Sequence, residues 1–177
     1  MEVWCEIKQD VDRGARRLVA EYGNRLLAAA SCLCPNDQDA EELVFRTFDQ
    51  AVKKIRQYRP TGDFFCWLYT IMLNYRRMDL RRRGPSVVAV GSSLDLPEVP
   101  TAALPDLDGA IGSERILAAL RALPEAIRAV VVLRYLDDCP VETIARQLAV
   151  PVGTVKSRLH AARWMLGEAL KKEGVGK

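Results

Sequence analysis

The chain has 177 residues, of which 49% are hydrophobic and 28% are charged, and its formal net charge is +3. These values are typical of a soluble globular protein with room for one ordinary domain or two small ones. Apolar runs stay well short of the roughly 20 residues that span a bilayer, and the first residues do not resemble a secretory signal. We therefore expect a cytoplasmic protein without direct membrane insertion.

Charge is distributed unevenly along the chain. Residues 73–83 carry five arginines against Asp79, a balance of +4, and residues 146–172 carry six lysines or arginines against Glu168, a balance of +5. Residues 84–112 lie between these blocks and carry four acidic residues and no basic one, a balance of −4. Two basic blocks that flank an acidic connector indicate two separate surfaces for nucleic acid.

Helical periodicity dominates the first half of the chain. An apolar stripe predicts a first helix that ends at Pro35-Asn36-Asp37, where the next helix is capped. The second helix is expected to reach about Arg56, and a further helix from about Phe64 follows a loop at 58–63 that is rich in Pro and Gly. The stripe of the first helix comprises Ala15, Leu18, Val19, Tyr22, Leu26, Leu27, Ala30 and Leu33.

A change in composition divides the chain in two. Residues 84–112 hold four prolines and four glycines, which predicts a flexible tether rather than a long regular element. The flanking segments, residues 1–83 and 113–177, are expected to form two small helical domains. Because no strand is needed in either of them, the predicted fold is all-α.

The second domain carries the most specific pattern. After Leu123-Pro124 and an apolar run, residues 141–148 and 153–159 predict two helices joined by a tight turn, which is the pattern of a helix-turn-helix. An apolar stripe from Val155 to Leu166 is expected to pack inward, which leaves hydroxyl and basic groups to contact DNA phosphates and base edges. The outward residues are Thr154, Lys156, Ser157, Arg158, His160, Ala161 and Arg163.

The upstream basic block follows a segment rich in aromatic residues, from Tyr58 to Tyr75. Aromatic faces beside guanidinium groups suit the unstacked bases of single-stranded DNA. We expect nucleic-acid contact from the loop at 58–63 and from the arginine side chains, whereas Trp67 is expected in the core. The arginines of this block are Arg76, Arg77, Arg81, Arg82 and Arg83.

Residues typical of catalysis are sparse. His160 is the only histidine, and neither a Gly-rich phosphate loop nor a carboxylate pair in a predicted cleft is found, so we expect no enzyme and no cofactor. The five cysteines are an odd number, and we interpret them as packed thiols rather than a disulfide framework or a metal site. A redox or metal sensor built on Cys32 and Cys34 is the alternative.

In this order and spacing, the motifs of the two halves resemble those of bacterial RNA polymerase sigma factors of the extracytoplasmic-function class. The resemblance extends from about residue 14 to residue 172. Its upstream motifs are Asp39-Ala40-Glu41-Glu42-Leu43-Val44, Thr47-Phe48 and Phe64-x-x-Trp67-Leu68-Tyr69-x-Ile71-x-x-Asn74, followed by the arginines at 81–83. Its downstream motifs are Leu123-Pro124, Arg128, Leu133-Arg134, Ile144-Ala145, Leu148 and Gly153-Thr154-Val155-Lys156-Ser157-Arg158-Leu159.

The resemblance implies a dissociable initiation factor that binds the clamp and flap of core RNA polymerase, reads promoter DNA and helps to melt it. It also implies an anti-sigma factor as a partner, and it assigns the −35 element to Thr154, Lys156, Ser157, Arg158, His160 and Arg163 of the last helix. The residues implied for the −10 element and melting are Tyr58, Arg59, Thr61, Asp63, Asn74, Arg76, Arg77, Arg81, Arg82 and Arg83. The residues implied for core polymerase binding are Asp39, Glu42, Leu43, Phe45, Arg46 and Asp49.

Several positions depart from the pattern of that class. Phe45-Arg46 stands where Gln-Glu is common, and an exposed Phe45 is expected to meet apolar surface on a partner. The usual turn glycine is Ala149, a common Gly-x-Ser is Asp138-Cys139-Pro140, and a frequent arginine of the last helix is Ala161. The alternative function is a conventional DNA-binding regulator that uses only the downstream motif and binds duplex DNA without polymerase.

Overall fold

The computed structural model describes residues 2–60, 63–82 and 113–172. All regular elements in these ranges are helices, which confirms the predicted all-α fold class. The chain divides into two compact units, Met1–Val87 and Val88–Lys177. Thr61, Arg83 and the tether expected at 84–112 lie outside the described ranges. Among the described helices, none combines the length and the apolar character required to cross a membrane.

The N-terminal unit begins and ends its helices close to the predicted positions. Asn36 is the N-cap of the helix that follows it, because its side-chain oxygen accepts a 2.8 Å hydrogen bond from the backbone N–H of Asp39. A single 3-10 turn, Ile55–Gln57, continues that helix toward the loop. The α-helices in the described part of this unit are α1 (Val3–Gln9), α2 (Val11–Leu33), α3 (Asp37–Lys54) and α4 (Phe64–Arg82).

Helix α1 is an addition to the elements predicted from the sequence. Its seven residues are too few to show an apolar period, and its charged side chains hide the pattern further. Val3 and Ile7 are nonetheless buried, at 2% and 1% exposure. They pack on α2, so α1 is an integral part of the unit.

The apolar stripe of α2 is confirmed in part. Leu18, Leu26 and Ala30 are fully buried, as expected, whereas Val19 is 53% and Leu27 is 36% exposed. The prediction was wrong for these two residues because the stripe spans a wider arc of α2 than α1, α3 and α4 cover.

The C-terminal unit is centred on its second helix. Ile127, Val130 and Leu133 have at most 1% exposure there. The last helix packs against the three helices before it, and the last two are the pair predicted from the helix-turn-helix pattern. Within residues 113–172, the α-helices are α5 (Ser113–Ala122), α6 (Glu125–Tyr135), α7 (Val141–Gln147) and α8 (Val152–Lys172).

The turns on either side of α7 each contain one non-glycine residue in the left-handed backbone region. Asp138 has φ of 48° and Ala149 has φ of 53°. These are the two positions at which the resembled class commonly has glycine. Aspartate tolerates this region better than alanine, whose Cβ approaches the following carbonyl oxygen. The chain therefore keeps the backbone path of both turns at a steric cost, which is greater at Ala149.

Ala149→Gly is expected to stabilise the C-terminal unit by about 0.5–1 kcal/mol, because the steric relief exceeds the added entropy of the unfolded chain. Thermal unfolding is the measurement, and we expect the melting temperature of that unit to rise by a few degrees. Ala118→Gly is the matched control, since Ala118 is an exposed residue of α5 at which glycine should destabilise by about 1 kcal/mol. A lower melting temperature for Ala149→Gly would contradict the prediction.

Candidate nucleic-acid interfaces

Helix α8 has one packed side and one polar, basic side. Val155, Leu159 and Leu166 are at most 7% exposed and form the packed side, as predicted. Ser157 lies on the polar side, one turn after the start of α8. Its hydroxyl donates a 3.1 Å hydrogen bond to the carbonyl oxygen of Thr154. Of the six residues predicted to contact DNA, two are exposed and four are half-buried. The exposed residues are Lys156 and Ser157, and the half-buried ones are Thr154, Arg158, His160 and Arg163.

Two residues of α8 differ from the prediction. Ala161 is 3% exposed and does not lie outward, because α5, α6 and α7 together cover a wide arc of α8. Trp164 is 43% exposed and lies two helical turns beyond Ser157 and one turn beyond His160. The helical period, continued past Arg163, is the signal in the sequence that places Trp164 on this outer face.

Helix α4 divides the upstream arginines between two sides. Asn74, Arg77 and Arg81 are spaced i, i+3 and i+7, so they share one side of the helix, and Asn74 and Arg81 are exposed. Arg76 and Arg82 line a cleft between α3 and α4 instead. The described arginines of this block therefore lie on two sides of α4 rather than on one.

The cleft between α3 and α4 encloses about 410 Å³. Its charges are balanced, because three carboxylates and three guanidinium groups line it together with one thiol and one apolar side chain. The lining residues are Cys34, Asp39, Glu42, Leu43, Arg46, Arg76, Asp79 and Arg82.

Arg46 ties α3 to α4 across this cleft. Its two terminal nitrogens donate to the two carboxylate oxygens of Asp79, at 2.8 and 3.2 Å, and its guanidinium carbon lies 4.6 Å from the centre of the Tyr75 ring. The hydrogen bond to Asp79 raises the pKa of Arg46 above its ordinary value. Arg46 was predicted as an outward contact for a partner, and this bidentate pair shows that it makes an intramolecular contact.

The loop at 58–63 is held at both ends. Tyr58 is 5% exposed, and its ring centre lies 4.9 Å from that of Phe64 and 5.0 Å from that of Trp67. Burial raises the pKa of the Tyr58 hydroxyl to about 12. At the other end, a carboxylate oxygen of Asp63 accepts a 2.7 Å hydrogen bond from the backbone N–H of Phe65. Tyr58 is thus corrected from a predicted base contact to a core residue, while Arg59 is exposed.

The outward side of α3 exposes a large apolar ring. Phe45 is 73% exposed, more than any other large hydrophobic residue among those the structure describes, which confirms the expected exposure. Glu42 and Asp49 are also exposed, and Asp49 pairs with Lys53 at 2.6 Å. Leu43 was predicted to contact a partner, but it is 3% exposed and belongs to the core.

Comparison with known proteins identifies both halves of the chain. Residues 18–85 match the family described as Sigma-70 region 2, and residues 113–166 match Sigma-70, region 4. The chain is 35% identical over 158 residues to the ECF RNA polymerase sigma factor SigE of Mycolicibacterium smegmatis, which covers 88% of this chain and 61% of that protein. It is 30% identical over 160 residues to the ECF RNA polymerase sigma-E factor of Escherichia coli, which covers 82% of this chain and 81% of that protein.

Solved structures share the fold. The sigma factor RpoE of Bartonella quintana, in complex with the anti-sigma factor NepR, superposes with a TM-score of 0.69 at 27% identity. That match covers 88% of this chain and 96% of the other. Helix α1 lies before the residues that match region 2.

Proposed function

The chain belongs to the extracytoplasmic-function sigma factors, and on that premise we propose how its two units share promoter recognition. It is a factor for promoter-specific transcription initiation by RNA polymerase. We propose that residues 1–83 bind core RNA polymerase and read the −10 element, that residues 113–177 read the −35 element and dock on the flap, and that residues 84–112 connect them. The protein would act in the cytoplasm, without enzymatic activity or a cofactor.

The observation that best supports this proposal is the polar, basic character of the outer side of α8. A helix anchored by α5, α6 and α7 presents hydroxyl and basic groups within its first three turns, which is the arrangement that fits the major groove. Ser157 and Lys156 are the most accessible of these groups, and Trp164 extends the same side. The backbone N–H groups at the start of α8 favour a phosphate there.

Transcription by the reconstituted holoenzyme tests the proposed function. The purified chain is mixed with core RNA polymerase, and run-off transcripts are sought from genomic promoter fragments. Promoter-dependent transcripts that require the chain are the expected result. Absence of any such transcript, together with tight binding of duplex DNA by the free chain, would instead favour the conventional regulator.

Arg158→Ala is expected to weaken use of the −35 element by about 1–3 kcal/mol, if its guanidinium reads a base edge. The measurement compares run-off transcription from promoters with an intact or a scrambled −35 element. Arg115→Ala is the control, because it removes one positive charge from an exposed residue of α5 in the same unit. A variant at Arg158 with an unchanged promoter profile would show that this residue is not a reader.

We propose the outer side of α4, rather than the cleft between α3 and α4, as the surface that reads the −10 element. Asn74, Arg77 and Arg81 share that side, and Arg59 projects from the loop before the helix. We assign Arg76 and Arg82 to the cleft between α3 and α4, which Asp39 and Glu42 of α3 also line. Substitution of these two arginines should therefore disturb core polymerase binding more than −10 recognition.

An anti-sigma factor is the further partner that we propose. The structural neighbour RpoE of Bartonella quintana was solved in complex with an anti-sigma factor, NepR. The exposed ring of Phe45 offers apolar surface that such a protein and core polymerase would compete to cover.

A further inference from the structure

Helix α1 approaches α2 closely at a single glycine. A Cβ atom added at Gly14 would lie 2.5 Å from both the Cα and the backbone nitrogen of Ile7. Contacts this short do not occur, so any side chain at Gly14 would push α1 away from α2. The position of α1 is therefore fixed by backbone-to-backbone contact.

The buried carboxylate of Glu6 is a second contact that holds α1 against α2. Glu6 is 4% exposed, and its two carboxylate oxygens contact the Arg13 Nε at 2.6 Å and the Arg17 Nη1 at 3.0 Å. The hydrogen bonds to Glu6 and Glu21 raise the pKa of Arg17 above its ordinary value. A buried carboxylate needs such partners, so rotation or sliding of α1 would leave the charge of Glu6 unpaired.

The firmly held α1 contacts the start of the loop at 58–63. The Trp4 ring meets the Tyr58 ring edge to face, with 5.8 Å between centres, and the ammonium of Lys8 lies 4.8 Å from the Trp4 ring centre. Helix α1 also contacts the 3-10 turn Ile55–Gln57, which immediately precedes Tyr58. Tyr58 is thus enclosed between Trp4 on one side and the rings of α4 on the other.

We propose that α1 is a positioning element for −10 recognition, in which Trp4 holds Tyr58 and so sets where the loop leaves the core. This inference rests on the proposed role of the loop in reading the −10 element. Trp4 is a positioning residue, because it acts through Tyr58 rather than on DNA. Residues that read bases need a geometry held by packing behind them, and edge-to-face ring pairs supply it here.

The test uses the full chain bound to core RNA polymerase. Binding of this complex to fork-junction DNA is measured, and the DNA carries the −10 element of a promoter found by run-off transcription. The readout is the ratio of affinities for the matched −10 element and for one with a substituted base. Trp4→Ala is expected to lower this ratio by about five- to tenfold, a fraction of the discrimination that one base contact gives. Trp4→Phe keeps an edge-to-face ring and should stay within about twofold of the unmodified protein.

Two further variants separate positioning from stability. Gly14→Ala displaces α1 without altering Trp4, so it should lower the ratio in the same direction, whereas Val19→Ala on the exposed side of α2 should not. A loss of folded protein reduces binding to both DNAs equally and leaves the ratio unchanged. The ratio therefore reports the position of the loop.

Arg59→Ala distinguishes failure of this inference from failure of the proposed function. If Arg59→Ala lowers the ratio and Trp4→Ala does not, the loop reads the element and the positioning role is overturned. If neither variant lowers it, the proposed role of the loop falls together with that of α1. Equal losses in Trp4→Ala and Trp4→Phe would overturn the ring contact as the cause.

Discussion

Phe45→Ala is expected to weaken binding of core RNA polymerase by about 2–4 kcal/mol, which corresponds to roughly 30- to 1,000-fold in affinity. A large ring that is 73% exposed in the free chain gains most from burial in an interface, and aromatic residues commonly carry the largest share of binding energy. Thermal stability should change by less than about 0.5 kcal/mol, because most of the Phe45 side chain is exposed to solvent in the free chain. Titration of labelled protein with core polymerase, paired with thermal unfolding, measures both effects.

Two variants make the experiment on Phe45 specific. Val19→Ala removes an apolar side chain that is 53% exposed on α2 and should leave polymerase binding unchanged. Phe45→Gln introduces a polar residue of the kind common in the class, and it should lose affinity as Phe45→Ala does if the contact is apolar. Unchanged binding by Phe45→Ala, or an equal loss by Val19→Ala, would remove Phe45 from the interface.

The features that could be predicted from the sequence are those with local causes. The break between α2 and α3 follows from Pro35 and from the cap formed by Asn36, which involve only residues three or four apart. The packed side of α8 follows from the helical period that begins at Val155. The exposure of Phe45 follows in the same way, because it falls between the apolar positions of α3.

The features that the sequence did not indicate depend on residues far apart in the chain. Arg46 and Asp79 are 33 positions apart, and no local pattern shows that they form an ion pair. Tyr58 carries a polar hydroxyl on a loop and looks accessible, yet rings from α1 and α4 enclose it. Ala161 is buried for the same kind of reason, because three helices cover α8. Periodicity describes one helix at a time, whereas burial depends on its neighbours.

This distinction explains why the exposure of the residues predicted to bind polymerase differs more from expectation than the exposure of the residues of α8 predicted to contact DNA. The outer side of α8 lies opposite a packed side that the sequence marks clearly. The residues of α3 lie beside a cleft whose other wall is α4, so Leu43 and Arg46 turn inward while Phe45 turns outward. Adjacent residues with similar expected roles thus have different surroundings.

Leu133→Ala is expected to destabilise the C-terminal unit by about 2–5 kcal/mol while the unfolding of the N-terminal unit stays unchanged. Leu133 has 0% exposure on α6, so its loss leaves a cavity at the centre of a small unit. In a unit of this size each kcal/mol shifts the melting temperature by about 4–8 °C, so a shift of at least about 8 °C is expected. Calorimetry of the full chain under reducing conditions should resolve two transitions.

Leu68→Ala is the matched variant, because Leu68 is equally buried on α4 of the N-terminal unit and loses the same atoms. It should lower the other transition and leave that of the C-terminal unit in place. This reciprocal pattern would show that the two units each fold around their own core, as two separate domains do. A single transition that moves with either substitution would show instead that the two units unfold together, which would contradict two independently folded domains.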